Sequence, residues 1–122
     1  MNELLAHPFT ASPHENVERV MKMAKRIIQY SQKTNCSTFY APLVPHLLLS
    51  IYAEGTNPEI RHITEELSSA LVRASDELWI VSDQLSAGMK LEIEAARATS
   101  IRVRDWSEVL KLIPDLQQEA NA

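Results

Sequence analysis

Glycine is almost missing from this chain: Gly55 and Gly88 are the only two in 122 residues. There is accordingly no G-x-G-x-x-G and no G-x-x-x-x-G-K-S/T, which excludes a full dinucleotide fingerprint and a P-loop. The G-x-S-x-G elbow of a serine hydrolase is missing as well. Cysteine is scarcer still. Cys36 stands alone and cannot form an internal disulfide, which fits a reducing, cytoplasmic setting. It has no catalytic context and reads as filler near the start of a strand. The four histidines, His7, His14, His46 and His62, form no H-x-x-x-H, H-x-x-E-H or Cys/His pair. A dedicated metal site is therefore not expected, and no cofactor is implied. No apolar run approaches the length of a membrane span, and the first residues lack the order of a signal peptide. Basic residues are in deficit too, with 12 Lys and Arg against 16 Asp and Glu. The resulting net charge of −4 argues against nucleic acid as the main partner.

What is present reads as one soluble α/β domain over residues 1–114, with 115–122 as a tail beyond the helix-breaking Pro114. Asn2 to Ala6 makes a first strand. Ser12-Pro13-His14-Glu15 is a capping box with proline at the first helical position, and the helix it starts should reach about Lys33. Val17, Val20, Met21, Ala24, Ile27, Ile28 and Ser31 recur at helical spacing as its core stripe. Met23 and Tyr30 fall off that stripe and, with Trp106, are spare apolar residues suited to a subunit contact. Ser37 to Ala41 reads as a second strand stopped by Pro42 and Pro45, followed by a short helix or turn over Val44 to Tyr52. Asn57-Pro58 opens another helix, to about Ala74, with Ile60, Ile63, Leu67, Ala70, Leu71 and Ala74 inward.

The stretch from Asp76 to Ala96 is the densest in meaning. Leu78 to Val81 is an unbroken apolar run, as expected of a parallel strand buried on both faces. Polar residues and Gly88 follow, and Ser86 is the N-cap of a helix running to about Ala98. That crossover sets a helix N-terminus at the carboxyl end of a strand, where open α/β sheets bind ligands. Glu92 shares a helical stripe with Gly88, Ala95 and Ala96, so it is expected to aim inward near the ligand end. Ile101 to Arg104 supplies a fourth strand, and Glu108 to Ile113 a last helix. The alternation of strands and helices implies a parallel sheet of four strands, order 2-1-3-4, with helices on both faces in a small Rossmann-like, flavodoxin-like arrangement.

Gly88-Met89-Lys90-Leu91-Glu92-Ile93-Glu94-Ala95-Ala96 resembles the G-x-x-x-E-L/I-x-x-A segment of the nucleoside 2-deoxyribosyltransferase superfamily. Asp76 to Val103 is most similar to that superfamily's small phage and bacterial members, which share a D-E-L-W-I/V strand, an S-x-G-M-x-x-E-I helix start and an I-x-V strand. The resemblance implies that Glu92 is the catalytic nucleophile, attacking C1′ of a deoxyribosyl group. It also implies substrate contacts from Ser86, Gly88 and Met89. Leu5-Ala6-His7-Pro8-Phe9 is similar to the family's L-A-G-P-F loop around the sugar, with His7 in place of the glycine, which adds His7, Pro8 and Phe9 to the site. Pro45-His46-Leu47 resembles the P-H-L element after strand two and adds His46. Ser68 stands where the characterised transferases carry a substrate-contacting aspartate. Ser86 matches the serine of deoxynucleoside 5′-monophosphate glycosidases rather than the aspartate of the free-nucleoside enzymes. A serine hydroxyl can donate to a phosphate that an aspartate would repel.

Two functions follow as expectations. One is cleavage or transfer of the N-glycosidic bond of a deoxynucleoside or its 5′-monophosphate. The other is non-catalytic binding of nucleotides or nucleotide-derived signals. The resemblance further implies a homodimer or higher homo-oligomer, with each site completed by a neighbouring subunit. A small-molecule ligand, without nucleic acid or membrane, is the partner either way.

Overall fold

The structure, a computed structural model, describes residues 1–7, 13–33, 40–44 and 58–120. Its elements are β1 (Asn2–Ala6), α1 (Pro13–Lys33), β2 (Ala41–Leu43), α2 (Pro58–Ala74), β3 (Glu77–Ile80), α3 (Ala87–Ala98), β4 (Arg102–Arg104), α4 (Trp106–Leu112), a 3-10 turn (Pro114–Leu116) and α5 (Gln117–Ala120). The sheet is parallel throughout, in the order β2-β1-β3-β4. Alternation along β1 and β3 divides the core in two. Leu5, Trp79 and Val81 pack beneath α1, α4 and the 3-10 turn, through Val20, Met23, Ala24, Ile27, Val109, Ile113 and Leu116. Leu4, Ala6, Leu78 and Ile80 pack beneath α2 and α3, through Val72, Met89, Ile93 and Ala96. The sheet is thus covered on both faces, and its two central strands turn Leu4, Leu5, Ala6, Leu78, Trp79 and Ile80 into those two layers, as a parallel sheet demands, with Asn2, Glu3 and Glu77 at their starts. Among the described residues no helix is long and apolar enough to cross a membrane.

Several details differ from the reading of the sequence. β2 contains Pro42, which was expected to end it, paired in register with Glu3. The strand lies at the edge of the sheet, where a residue without an N–H is tolerated. Ser37 to Phe39, the capping box at Ser12 and the segment 45–57 lie outside the described residues. Along α1 the buried stripe is Asn16, Val20, Met23, Ala24, Ile27 and Ser31, whereas Met21 and Ile28 are 41% and 37% exposed. Met23 is therefore core, and Tyr30 and Trp106 pack half-buried against it, so none of the three is spare. The cause is the segment after Pro114. Instead of forming a loose tail it folds back along α1, burying Leu116 and setting Glu119 Oε1 2.9 Å from Arg26 Nε. On α2, Val72 is buried while Ile63, Ala70 and Ala74 are exposed, so the inward stripe is turned toward Ser68 and Val72.

Candidate active site at the start of α3

Helices that follow β1 and β3 lie on opposite faces, so the strand order reverses between these two neighbours. In open α/β sheets a crevice opens at that point, outside the carboxyl ends of the strands. Here the two ends are tied together by the Val81 N–H, which donates to the Ala6 carbonyl at 3.0 Å. Beyond it, Ser82 Oγ accepts from the Gln84 N–H at 3.1 Å, a local bond that turns the chain toward α3.

Ser86 caps α3 as its sequence position predicts. Its hydroxyl accepts from the Met89 N–H at 3.2 Å, its carbonyl takes the Lys90 N–H at 3.1 Å, and its own N–H points at Met89 Sδ, 3.4 Å away. A thioether is a weak acceptor, so this is a capping box closed by sulfur rather than carboxylate. The N–H groups of Ala87 and Gly88 remain as donors at the exposed start of the helix. Gly88 is exposed, and a Cβ there would meet nothing described closer than Ser86 Oγ at 4.0 Å. The protein itself therefore leaves room at Gly88 for a side chain or a ligand.

Met89, expected among the substrate contacts, is 1% exposed and belongs to the core under α3. The inward face of the helix is Met89, Ile93 and Ala96, because these meet the apolar side chains of β1 and β3. Glu92 sits on the flank of that face, and Gly88 lies outside it. The residue is half-buried overall, but its Oε2 is sealed from solvent and has no hydrogen-bond partner among the described residues. Burial pushes the Glu92 carboxyl up to about 8. The helix dipole does not offset this, since its influence fades within the first turn and Glu92 is the sixth residue of α3. Burial thus favours the neutral form of Glu92 at neutral pH.

His7 follows β1 directly and is 4% exposed. Ser68 is half-buried on α2. Pro8, Phe9 and His46 lie outside the described residues. The structure thus places Ser86 and Gly88 at the start of α3, sets Glu92 further along the same helix and turns Met89 into the interior. Two surface grooves lie elsewhere, one along Lys22, Lys25, Arg26, Gln29 and Glu119, the other along His62, Glu65, Glu66, Ser69, Ala70 and Arg73. Neither includes Glu92, so the site is located by the chemistry of that carboxyl and not by the size of a groove. Among the described residues no three of His, Cys, Asp or Glu converge to hold a metal ion.

A second acid escaped the sequence reading. Glu3 is wholly buried, and neither carboxylate oxygen has a hydrogen-bond partner among the described residues. Burial, opposed by the N-terminal ammonium and by Glu3's own backbone N–H and aided by Glu77 and Asp76, raises it to about 7. The available signal was a glutamate set inside the apolar strand Asn2-Glu3-Leu4-Leu5-Ala6. Burial opposes ionisation of neighbouring Glu77 too, but the hydrogen bonds from Arg104 and Trp79 outweigh it and hold that carboxyl below its ordinary value.

Comparison with curated proteins and with solved structures gives no match. Residues 4–106 match the family described as a domain of unknown function, DUF7768, and the chain belongs to that family.

Proposed function

We propose that the protein cleaves or transfers the N-glycosidic bond of a deoxynucleoside or its 5′-monophosphate, with Glu92 as nucleophile. The observation that carries this reading is the sealed, unpartnered Oε2 of Glu92 near the start of α3. A buried polar atom without a partner is costly to keep, and a bound polar ligand would relieve the cost. The resemblance of Gly88 to Ala96 to the nucleoside 2-deoxyribosyltransferase superfamily supplies the role. In the first step a carboxylate oxygen of Glu92 bonds to C1′, the C1′–N bond breaks, and its electron pair leaves with the base, which takes up a proton. In the second step water, or a second base, attacks C1′ and releases the Glu92 carboxylate. Only the ionised form attacks, so kcat/KM should rise as pH is raised through about 8.

Ser86 directs the ligand's other end. Its hydroxyl accepts from Met89 and keeps its own proton to donate, beside the Ala87 and Gly88 N–H groups. A 5′-phosphate should therefore bind more tightly than the free 5′-hydroxyl, by about 0.3–1 kcal/mol from the helix terminus alone. Titration calorimetry on a matched nucleoside and monophosphate measures this, and Ser86→Asp should reverse the preference. Equal affinities would reduce Ser86 to a cap.

One observation favours a second reading, a non-catalytic binder of nucleotides or nucleotide-derived signals. Burial of Glu92 Oε2 favours the neutral form of the carboxyl, and a neutral acid is a hydrogen-bonding group rather than a nucleophile. Glu92→Gln separates the two. The variant keeps a neutral polar side chain, so a binder retains its affinity, whereas an enzyme loses base release while still binding. The reading includes an assembly of two or more copies. Leu85 and Leu91, each 50% exposed beside Ser86 and Glu92, are apolar surface that a second copy would cover. A cytoplasmic location accords with the lone Cys36.

A further inference from the structure

Glu3 lies near the start of β1, at the opposite end of that strand from His7. Register sets it between Pro42 of β2 and Glu77 of β3, so the Glu3 and Glu77 side chains emerge together on one face. The donors on that face are already taken. Arg104 forks onto Glu77, with Nε 2.8 Å from Oε1 and Nη2 3.3 Å from Oε2, and Trp79 Nε1 donates to the same Oε1 at 2.9 Å. The Asn2 N–H goes to Asp76 Oδ2 at 2.6 Å. Glu3, fully enclosed, receives no hydrogen bond from another described residue, and only its own backbone N–H favours the charged form locally. The charged and titratable groups around it are the N-terminal ammonium, Asp76 and Glu77. Arg102, Arg104 and Glu108 act through Glu77 and one another. Tyr40 lies before β2, its ring 5.2 Å from Trp79, and Tyr30 stands on α1.

We propose that Glu3 is a proton-operated latch at the start of the two central strands: as a neutral acid it lets β1 and β3 close over it, and as a carboxylate it opposes Glu77 and loosens that strand pair. A neutral carboxyl without a partner is a tolerable burden in a core, whereas an unpaired buried carboxylate is not. Like charges directly opposed on neighbouring strands add to the penalty. The same two strands carry His7 and the Val81 to Ser86 loop at their other ends, so opening the latch also loosens the candidate site. The sign follows from the raised value of about 7. Between about 4.5 and about 7 the folded chain holds a proton that the unfolded chain has lost, so stability falls as pH rises, with the folding constant dropping by up to about tenfold per pH unit.

Hydrogen exchange of the amides bridging β1 and β3, Asp76 N–H to Asn2 and Val81 N–H to Ala6, tests the latch between pH 5 and 8. The full chain should carry Glu92→Gln, which silences the other acid that titrates in this window. Once the intrinsic pH dependence of exchange is removed, protection should fall as pH rises to about 7, and adding Glu3→Gln should abolish the fall. An equal fall with and without Glu3→Gln overturns the proposal. Carbon-13 carboxyl titration of the wild-type chain decides the matter even if the variants do not fold. A Glu3 midpoint near 7 supports the latch, and one at the ordinary value near 4.5 overturns it.

Discussion

Glu3 and Glu92 hold sealed carboxyl oxygens without a partner among the described residues, and at residue scale the consequence is a pH dependence of opposite sign to ordinary acid denaturation. Glu92 titrates at about 8 in the folded chain against 4.5 unfolded, so its contribution to stability is fully present below 4.5 and is lost as pH rises toward 8. Each pH unit in that window costs up to about 1.4 kcal/mol for one such group. Glu77 behaves the other way, and its stabilisation is lost as pH falls through its lowered value. Thermal melts should therefore show Glu92→Gln close to wild type at pH 5 and clearly more stable at pH 8. Melting curves that shift in parallel at both pH values would show that Glu92 ionises normally. The sequence marked Glu92 because a glutamate four residues after a glycine at a helix start is a recognisable pattern. It did not show the proton, because the sealing of one oxygen depends on how α3 is rotated over the sheet.

At the scale of elements, α3 is bounded at both ends by its own chemistry. Ser86 caps the start, and the end turns through Ser100, whose φ of 58° is left-handed without being glycine. The Ile101 N–H reaches the Ala96 carbonyl at 2.8 Å and the Ser100 N–H reaches Arg97 at 3.3 Å, the bonding of a Schellman close. A side chain in that conformation costs about 1–2 kcal/mol that glycine avoids, partly offset by glycine's greater freedom when unfolded. Ser100→Gly should thus raise the denaturation midpoint by a gain of up to about 1 kcal/mol, and a loss would mean that the serine side chain holds the turn by a bond of its own. Helix positions were legible in the sequence: Pro13 to Lys33, Pro58 to Ala74 and Ala87 to Ala98 all stand where proline, capping and periodicity put them. Helix rotations were less so. Both flanks of α1 carry apolar residues, and periodicity counts them without telling that Met23 turns inward and Met21 outward.

At the scale of the whole molecule, the order β2-β1-β3-β4 was legible because each strand is followed by a helix and right-handed crossovers leave few alternatives. The fold-back after Pro114 was not, since Leu116 and Glu119 gain their meaning only from α1, distant in sequence. Assembly belongs to this scale too. Light scattering at micromolar concentration should give at least twice the 13.8 kDa of one chain, and charged substitutions at Leu85 and Leu91 should return it to monomer. A monomeric wild type would remove the shared site. Glu92 as nucleophile is tested most directly by following base release from a panel of deoxynucleosides and their 5′-monophosphates while weighing the intact protein by mass spectrometry. The result expected is base release by the wild type, favouring monophosphates, with a transient gain of one deoxyribosyl group on the peptide bearing Glu92. Glu92→Gln should show neither the release nor the gain while remaining folded. Undiminished turnover in Glu92→Gln, an adduct on another residue, or no release from any member of the panel would contradict the assignment of Glu92 as nucleophile.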